Sequence, residues 1–469
     1  MEDFFDPQSI VIFGASNKEN KGGNHVLRNI LNYTQENIFL IHHKNDEIYG
    51  IKCYKNIFDI PIKKVDLAII ILPVAHVLNA LEECIEFKVR YIIIESGALY
   101  LKNENEKNNI LHVEKIKEKL LKEKKSRIIG PNSIGFYCAN KNNRNLITSL
   151  IYFDDLPGLK HKNLGIISQT GLTLSGMLHG QNYIQDIGIS KIAAIGNKFD
   201  VNESDILEIY ENDLDTDVIA LYLEDIKEGK RFKEQCERIA KKKPIILLKS
   251  GKTEKGRKAI ISHTKSLAGN YKIIETLSKQ VGLIMVDDFH EMFTVAKVIL
   301  SQPIPKGNKL AIISISGAGT VLSCDLAEKY GLDVPAMSEA QKEKMFEIFP
   351  KFAWEDVYNP LDIWSSVEFV GPEKAYSKAG EIFLEDYEQF DALLYFLTGI
   401  EETEFDWQLL DNLAKKTGIP IYMGLLGGDK KLILKWRESL EEKYNIPTFE
   451  SVNTLMKALS KVLNLKKIK

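Results

Sequence analysis

Short, unbroken apolar runs recur along this chain, and nothing else in it limits the fold as strongly. Ser9–Phe13 ends at Gly14, and Ile38–Ile41 ends at a histidine pair. Asp66–Pro73 and Tyr91–Ile94 follow at similar spacing. A strand that faces water on one side alternates apolar with polar residues, so an unbroken run marks a strand buried on both faces. Stretches long enough for helices separate the runs. That pattern predicts an α/β fold with parallel sheets covered on both sides.

The pattern recurs twice. Gly165–Ser168, Ile192–Ile195, Val218–Leu223 and Pro244–Leu248 form a second group of strands. Leu310–Ile315, Ala392–Leu397 and Ile419–Met423 form a third. Ser301–Asn308 separates these two groups, and its two prolines and one glycine break any helix. A length of 469 residues suits about three domains. The expected division is 1–128, 129–300 and 307–469. Glu114–Lys125 reads as a solvated helix face. Asn453–Leu463, amphipathic at helical spacing, reads as a helix that closes the last domain.

Composition narrows the function. The 62 basic and 65 acidic residues leave a net charge of −3, which favours neither nucleic acid nor a membrane surface as partner. The five cysteines contain no C-x-x-C pair and fit neither a disulfide framework nor a zinc site; no metal site is expected. Met1 leads into Glu2 and Asp3 rather than a secretory signal, and no apolar run nears the ~20 residues of a membrane span. A cytoplasmic protein is the expectation.

Three motifs carry chemistry. Gly14-Ala15-Ser16 follows the first strand, with Gly22-Gly23 ahead of a helix expected to open near Asn24. Glycines there let backbone amides approach a phosphate at a helix amino terminus. The spacing is not G-x-G-x-x-G. His42-His43-Lys44 stands where an NAD site would carry an acidic residue. This cluster suits a ribose phosphate, as in NADP or coenzyme A, and equally an exposed basic turn. Ser250-Gly251-Lys252-Thr253 imitates the end of a P-loop, but Ile246 occupies the required glycine position, which excludes a Walker-type ATP site. The last motif is Ser262-His263-Thr264. A histidine among small residues has room for a phosphoryl group, and imidazole is a nucleophile near neutral pH.

Taken in order, several segments resemble the α subunit of the nucleoside-diphosphate-forming acyl-CoA synthetases, especially ADP-forming acetate–CoA ligase. Succinyl-CoA synthetase α is a more distant relative. The matching pieces are Val11–Ser16, Gly130–Gly135, Ile167–Gly171, Gly196–Val201, Ala220–Glu224, and Ser262-His263-Thr264 with Leu267-Ala268-Gly269. The resemblance implies a Rossmann-like CoA-binding domain followed by two flavodoxin-like domains. It implies that acyl-CoA and phosphate give an acyl phosphate, that His263 takes the phosphoryl group, and that ADP takes it from His263. By the same resemblance Glu224 would pair with the imidazole. Ser168, Gln169, Thr170 and Gly171 would hold the phosphoryl group at a strand-to-helix turn. Gly14, Ala15, Ser16, Lys44, Pro73, Ser96 and Asn132 would line the CoA edge, with Lys44 on a CoA phosphate.

The family's ATP-grasp module has no counterpart in these three α/β units. ADP or ATP with magnesium is therefore expected on a separate β subunit, in an α2β2 assembly. A mobile arm over residues 251–269 would then serve two sites. Two departures from the family stand out. Lys265 replaces the glycine usual after Ser-His-Thr, and Ser133 replaces a frequent cysteine. Two other readings compete: a catalytically inactive CoA-binding regulatory protein, and an NADP-dependent oxidoreductase.

Overall fold

The computed structural model describes residues 1–100, 106–140, 145–154, 156–178, 187–264, 271–386, 388–399 and 406–464. They divide into two compact units, Met1–Val286 and Asp287–Lys469.

The first unit holds two sheets. In the first, Ile10–Phe13 is central, with Ile38–Ile41 on one side and Leu67–Ile70 on the other, both parallel to it. Tyr91–Ile94 and Arg127–Ile129 extend the parallel set. A short antiparallel pair, Glu47–Ile48 with Ile51–Tyr54, lies at the far edge. The four strands Ile10–Phe13, Ile38–Ile41, Leu67–Ile70 and Tyr91–Ile94 are buried throughout, as unbroken apolar runs require. Odd and even positions feed different cores. Ile10, Ile12, Leu67, Ile69, Tyr91 and Ile93 join a core shared with the second sheet. Val11, Phe13, Ala68, Ile70, Ile92 and Ile94 join another. Helix Glu106–Glu123 buries Ile116 and little else, as its lysine content predicts.

In the second sheet Asn163–Ser168 is central, between Gly188–Ala194 and Val218–Leu223. Ile245–Lys249 and Ile284–Val286 continue it in parallel. Phe136–Cys138 joins the other edge antiparallel, followed by Leu146–Ile147. In both sheets successive strands leave the central one in opposite directions. The carboxyl end of each central strand is therefore a topological switch point, where open α/β sheets bind ligands.

The second unit is a five-stranded parallel sheet ordered Leu361–Asp362, Leu310–Ser314, Ala392–Gly399, Ile421–Gly428, Thr448–Phe449. Helix Val452–Asn464 closes it, packing on helices Phe289–Ser301 and Gly317–Tyr330. Lys457 Nζ ties that helix to Glu291 Oε1 at 3.1 Å. The parallel-dominated α/β class expected from the apolar runs is what the chain forms. Among the described residues no helix is long and apolar enough to cross a membrane.

Candidate active site

At the first switch point Gly14 has φ +92°, a conformation that favours glycine. A Cβ there would overlap the Ile71 carbonyl oxygen, and one at Gly23 would overlap the carbonyl of Gly14. The loop and the helix Gly22–Tyr33 therefore close onto the sheet edge only because both positions lack a side chain. That helix opens with no side-chain cap and no acid in its first turn, so no side chain there opposes an anion at its amino terminus. Asn24, fully buried, steadies the loop by donating to Ser16 O (3.0 Å) and to Tyr49 Oη (2.9 Å). Ala15 is buried and Ser16 half-buried.

Pro73, Ser96 and Asn132 share this edge. Ser96 Oγ donates to Leu72 O at 2.6 Å and accepts from Leu72 N at 3.2 Å. The Asn132 N–H donates to Ser96 O at 2.8 Å, with Asn132 at φ +59°. Lys44 is exposed on the turn after Ile38–Ile41, and its N–H donates to His42 Nδ1 at 3.1 Å. Burial, followed by the charges of Lys55, His43 and Lys44, pushes the His42 imidazole below its usual range. His42 therefore shapes the turn, and Lys44 offers the free charge.

At the second switch point Ser168 Oγ folds the turn on itself, donating to Thr170 O (2.9 Å) and accepting from Thr170 N (3.2 Å). Thr170 Oγ1 accepts from Leu172 N at 3.3 Å, and the chain becomes helical there. The helical residues include the π-helical segment Thr173–Met177, an irregularity frequent at functional sites. Gln169 is the clamp of the site. Its Oε1 accepts from the N–H groups of Glu224 (2.8 Å) and Asp225 (3.2 Å), and its Nε2 donates to Asp225 Oδ1 at 2.6 Å. The clamp holds Glu224 just past the end of Val218–Leu223, 6% exposed. Tyr222 Oη reaches Glu224 Oε1 at 3.4 Å, while Glu224 Oε2 has no hydrogen-bond partner among the described residues. A buried carboxylate oxygen left open in this way calls for a donor.

Below the clamp lies a charged cluster that the sequence did not reveal. Lys198 Nζ, wholly buried, meets Glu203 Oε2 at 2.9 Å and Asp225 Oδ1 at 2.6 Å. Lys249 Nζ donates to Glu224 O (2.7 Å) and Ser250 O (2.6 Å). Burial pushes the Lys249 ammonium down to about 8, opposed by the charges of Asp225 and Glu224. Nothing in the spacing of Gly196-Asn197-Lys198 tells a surface turn from a buried ion triad.

The two edges are physically joined. Ser168 O accepts from Ile195 N at 2.9 Å, and Pro131 O from Asn197 N at 2.9 Å. A Cβ on Gly196 would press on the carbonyls of Pro131 and Asn132, and one on Gly171 would meet the Ile134 side chain. Through Asn132 and Ser96 this path reaches Leu72 and Pro73. The predicted ligand edge and the predicted phosphoryl turn thus meet at Gly130–Ile134.

His263 lies in helix Glu254–Thr264, where a loop was expected. Thr253 Oγ1 accepts from Gly256 N at 3.0 Å, and Lys258 pairs with Glu254 at 2.8 Å one turn on. These local contacts support a helix despite the glycine. The His263 side chain, Lys265 and Leu267–Gly269 lie outside what the structure describes.

The second unit repeats the geometry of the Ser168–Gly171 turn. Ser314 Oγ donates to Ser316 O (2.9 Å) and accepts from Ser316 N (3.2 Å), and Ser316 Oγ caps Ala318 N at 3.2 Å. Ser314-Ile315-Ser316-Gly317 parallels Ser168-Gln169-Thr170-Gly171 in sequence too, a signal that could have revealed it. Among the described residues no cluster of potential metal ligands occurs.

Residues 8–139 match the family of CoA binding domains, and residues 161–299 the family of succinyl-CoA ligase-like flavodoxin domains. Over 95% of its length the chain is 32% identical to the α subunit of acetate–CoA ligase [ADP-forming] II from Pyrococcus furiosus, covering 94% of that subunit. Over 98% of its length it is 35% identical to acetate–CoA ligase [ADP-forming] II from Archaeoglobus fulgidus, of which it spans 66%. A solved structure, acetyl-coenzyme A synthetase 1 of Candidatus Korarchaeum cryptofilum in complex with phosphate and ADP, superposes with a TM-score of 0.81 at 28% identity, covering all of this chain and 97% of that one.

Proposed function

The chain belongs to the ADP-forming acetate–CoA ligase family, and on that footing we propose that it is the CoA- and phosphohistidine-bearing part of such an enzyme. The reaction would interconvert acyl-CoA, ADP and phosphate with the free acid, CoA and ATP. Residues 1–128 would bind CoA along Gly14, Ala15, Ser16, Lys44, Pro73, Ser96 and Asn132. Residues 129–300 would carry the phosphoryl chemistry, and 307–469 would form the second flavodoxin-like domain.

One observation carries this reading: the continuous backbone path from Ser168 through Ile195, Asn197 and Asn132 to Ser96. Phosphate must attack the thioester carbon while CoA is still bound, so the two sites must be neighbours. Phosphate held at Ser168–Gly171 attacks that carbon. The carbon–sulfur bond breaks, and an acyl phosphate forms. An imidazole nitrogen of His263 then takes the phosphoryl group and releases the acid. Glu224 Oε2, buried and open, would accept the hydrogen bond from the other ring nitrogen and fix the tautomer. The turn needs little covalent chemistry of its own, because phosphoryl transfer is mostly positioning and charge stabilisation.

ADP or ATP and magnesium would sit on an ATP-grasp partner chain, in an α2β2 complex in the cytoplasm. Of the two rivals, the oxidoreductase requires a dinucleotide loop, whereas the loop present belongs to a CoA-binding match at residues 8–139. The inactive regulator leaves Glu224's open oxygen without a purpose.

The test is reconstitution with an ATP-grasp subunit. Acetate, CoA and ATP should give acetyl-CoA with one ADP and one phosphate per thioester. Calorimetry on this chain alone should show CoA binding and no NADP binding. Binding of NADP but not CoA would end the proposal.

A further inference from the structure

Glu95 has no part in the chemistry described so far, yet its setting is unusual. It is 5% exposed, and neither carboxyl oxygen has a hydrogen-bond partner among the described residues. Its N–H still donates to Ile70 O at 3.1 Å, so the strand pairing of Tyr91–Ile94 runs on through it. Alternation then places its side chain on the face of Tyr91 and Ile93. That face joins the core shared with Phe136, Ile167 and Ile195 of the second sheet and its approaches. Glu95 therefore points toward the second sheet, where the path between the two edges runs.

Burial disfavours the charged form of this carboxyl group. Burial pushes it well above the usual carboxylate range. The segments that meet the strand end here, Ile70–Pro73 and Gly130–Ile134, contain no charged residue to oppose that burial. A carboxyl group in a dry position, with both oxygens open, costs stability that an isoleucine of similar size would not. The next residue, Ser96, grips Leu72 and accepts from Asn132 N. The carboxyl-bearing residue thus sits between Ile94 and Ser96, the two residues that accept from Ser133 N and Asn132 N on the path joining the two edges.

Resting on the thioester chemistry proposed above, we propose that Glu95 is a catalytic acid and base that exchanges one proton with the CoA sulfur. In the direction of thioester cleavage, a phosphate oxygen bonds to the carbonyl carbon and the carbon–sulfur electron pair passes to sulfur. The Glu95 proton moves to that sulfur, leaving CoA thiol and a Glu95 carboxylate. The proton that hydrogen phosphate gives up on becoming an acyl phosphate restores the acid, so charge and protons balance. In the reverse direction the carboxylate takes the thiol proton as sulfur attacks the acyl phosphate.

The test uses the reconstituted complex with Glu95→Gln, an isosteric side chain that cannot exchange the proton. Two reactions are followed: transfer of labelled phosphate from ATP to His263, and thioester formation from acetyl phosphate and CoA without nucleotide. Labelling should stay within twofold of the parent, because it involves no thiol. Thioester formation should fall by about a hundredfold at pH 7, in the range of general acid–base catalysis. It should then climb about tenfold per pH unit toward pH 8, as solvent supplies the thiolate that Glu95 no longer makes, while the parent stays nearly flat. A Glu95→Gln variant that keeps the rate within fivefold, or that loses rate with a pH profile parallel to the parent's, overturns the proposal. Should Glu95→Gln lose labelling as well, Glu95→Asp must restore thioester formation at least tenfold over it, or the role is structural and the proposal falls. A parent complex that neither labels His263 nor forms thioester refutes the parent reading instead, a result the variant cannot produce.

Discussion

Replacing Lys198 with methionine should unfold the clamp from below. The Lys198 side chain is wholly buried and its Nζ touches Glu203 Oε2, Asp225 Oδ1 and Asp225 O, at 2.9, 2.6 and 3.0 Å. Methionine fills similar volume but leaves two buried carboxylates facing each other. Removing one member of a buried ion cluster costs about 3–5 kcal/mol, mostly from the charges left behind. With a urea slope of about 3 kcal/mol per molar, the midpoint for the Met1–Val286 unit should drop by about 1–2 M at an unchanged slope. Asp225 also receives the Gln169 amide at 2.6 Å, so the loss should spread to the position of Glu224 and to His263 labelling. Adding Glu203→Gln removes one orphaned charge and should recover part of the loss, giving a coupling above about 1 kcal/mol in the double-mutant cycle. A single-variant loss below about 1 kcal/mol, or strictly additive effects, would refute the claim that these three groups form one buried unit.

Further outcomes are expected at neighbouring positions. Gly14→Ala forces a left-handed backbone on alanine and drives its Cβ into Ile71 O; it should cost about 2–5 kcal/mol and abolish the CoA heat in calorimetry. Glu224→Gln should leave the melting temperature within a few degrees and cut His263 labelling by about a hundredfold, read on a filter-bound label. Lys249, pushed down to about 8 when folded, regains its ordinary value near 10.5 when unfolded. Between these values the unfolded chain holds a proton the folded chain has released, so stability should rise with pH across that window, by about 3 kcal/mol. Denaturant midpoints at pH 8 and pH 10 check the sign, and Lys249→Met should flatten the rise.

The central strands were legible because burial on both faces leaves a one-letter signature: Ile38–Ile41, Tyr91–Ile94 and Val218–Leu223 form over the residues their apolar runs mark. The short edge strands Glu47–Ile48, Leu146–Ile147 and Leu361–Asp362 went unseen, since two residues carry no periodicity. At the site, small-residue turns such as Ser168–Gly171 announce themselves because glycine and hydroxyl residues have few other reasons to cluster at a strand end. Lys198, Asp225, Lys249 and Glu95 did not. A buried charge looks like a surface charge until partners such as Asp225, 27 residues from Lys198, and Glu224, 25 residues from Lys249, are brought together. The helix at Glu254–Thr264 was misread for a related reason: its glycine and lysines suggest a loop, while its Glu254–Lys258 pair and Thr253 cap act only once the helix exists.

Whether His263 carries the phosphoryl group can be measured directly. The chain, together with an ATP-grasp subunit, should be incubated with labelled ATP and magnesium, or alone with acetyl-CoA and labelled phosphate, and digested under alkaline conditions for peptide mapping. The expected result is one acid-labile, base-stable phosphate on the peptide containing Ser262-His263-Thr264, discharged by ADP and absent in His263→Asn. Phosphate on another residue, or thioester turnover that proceeds undiminished in His263→Asn, would contradict it.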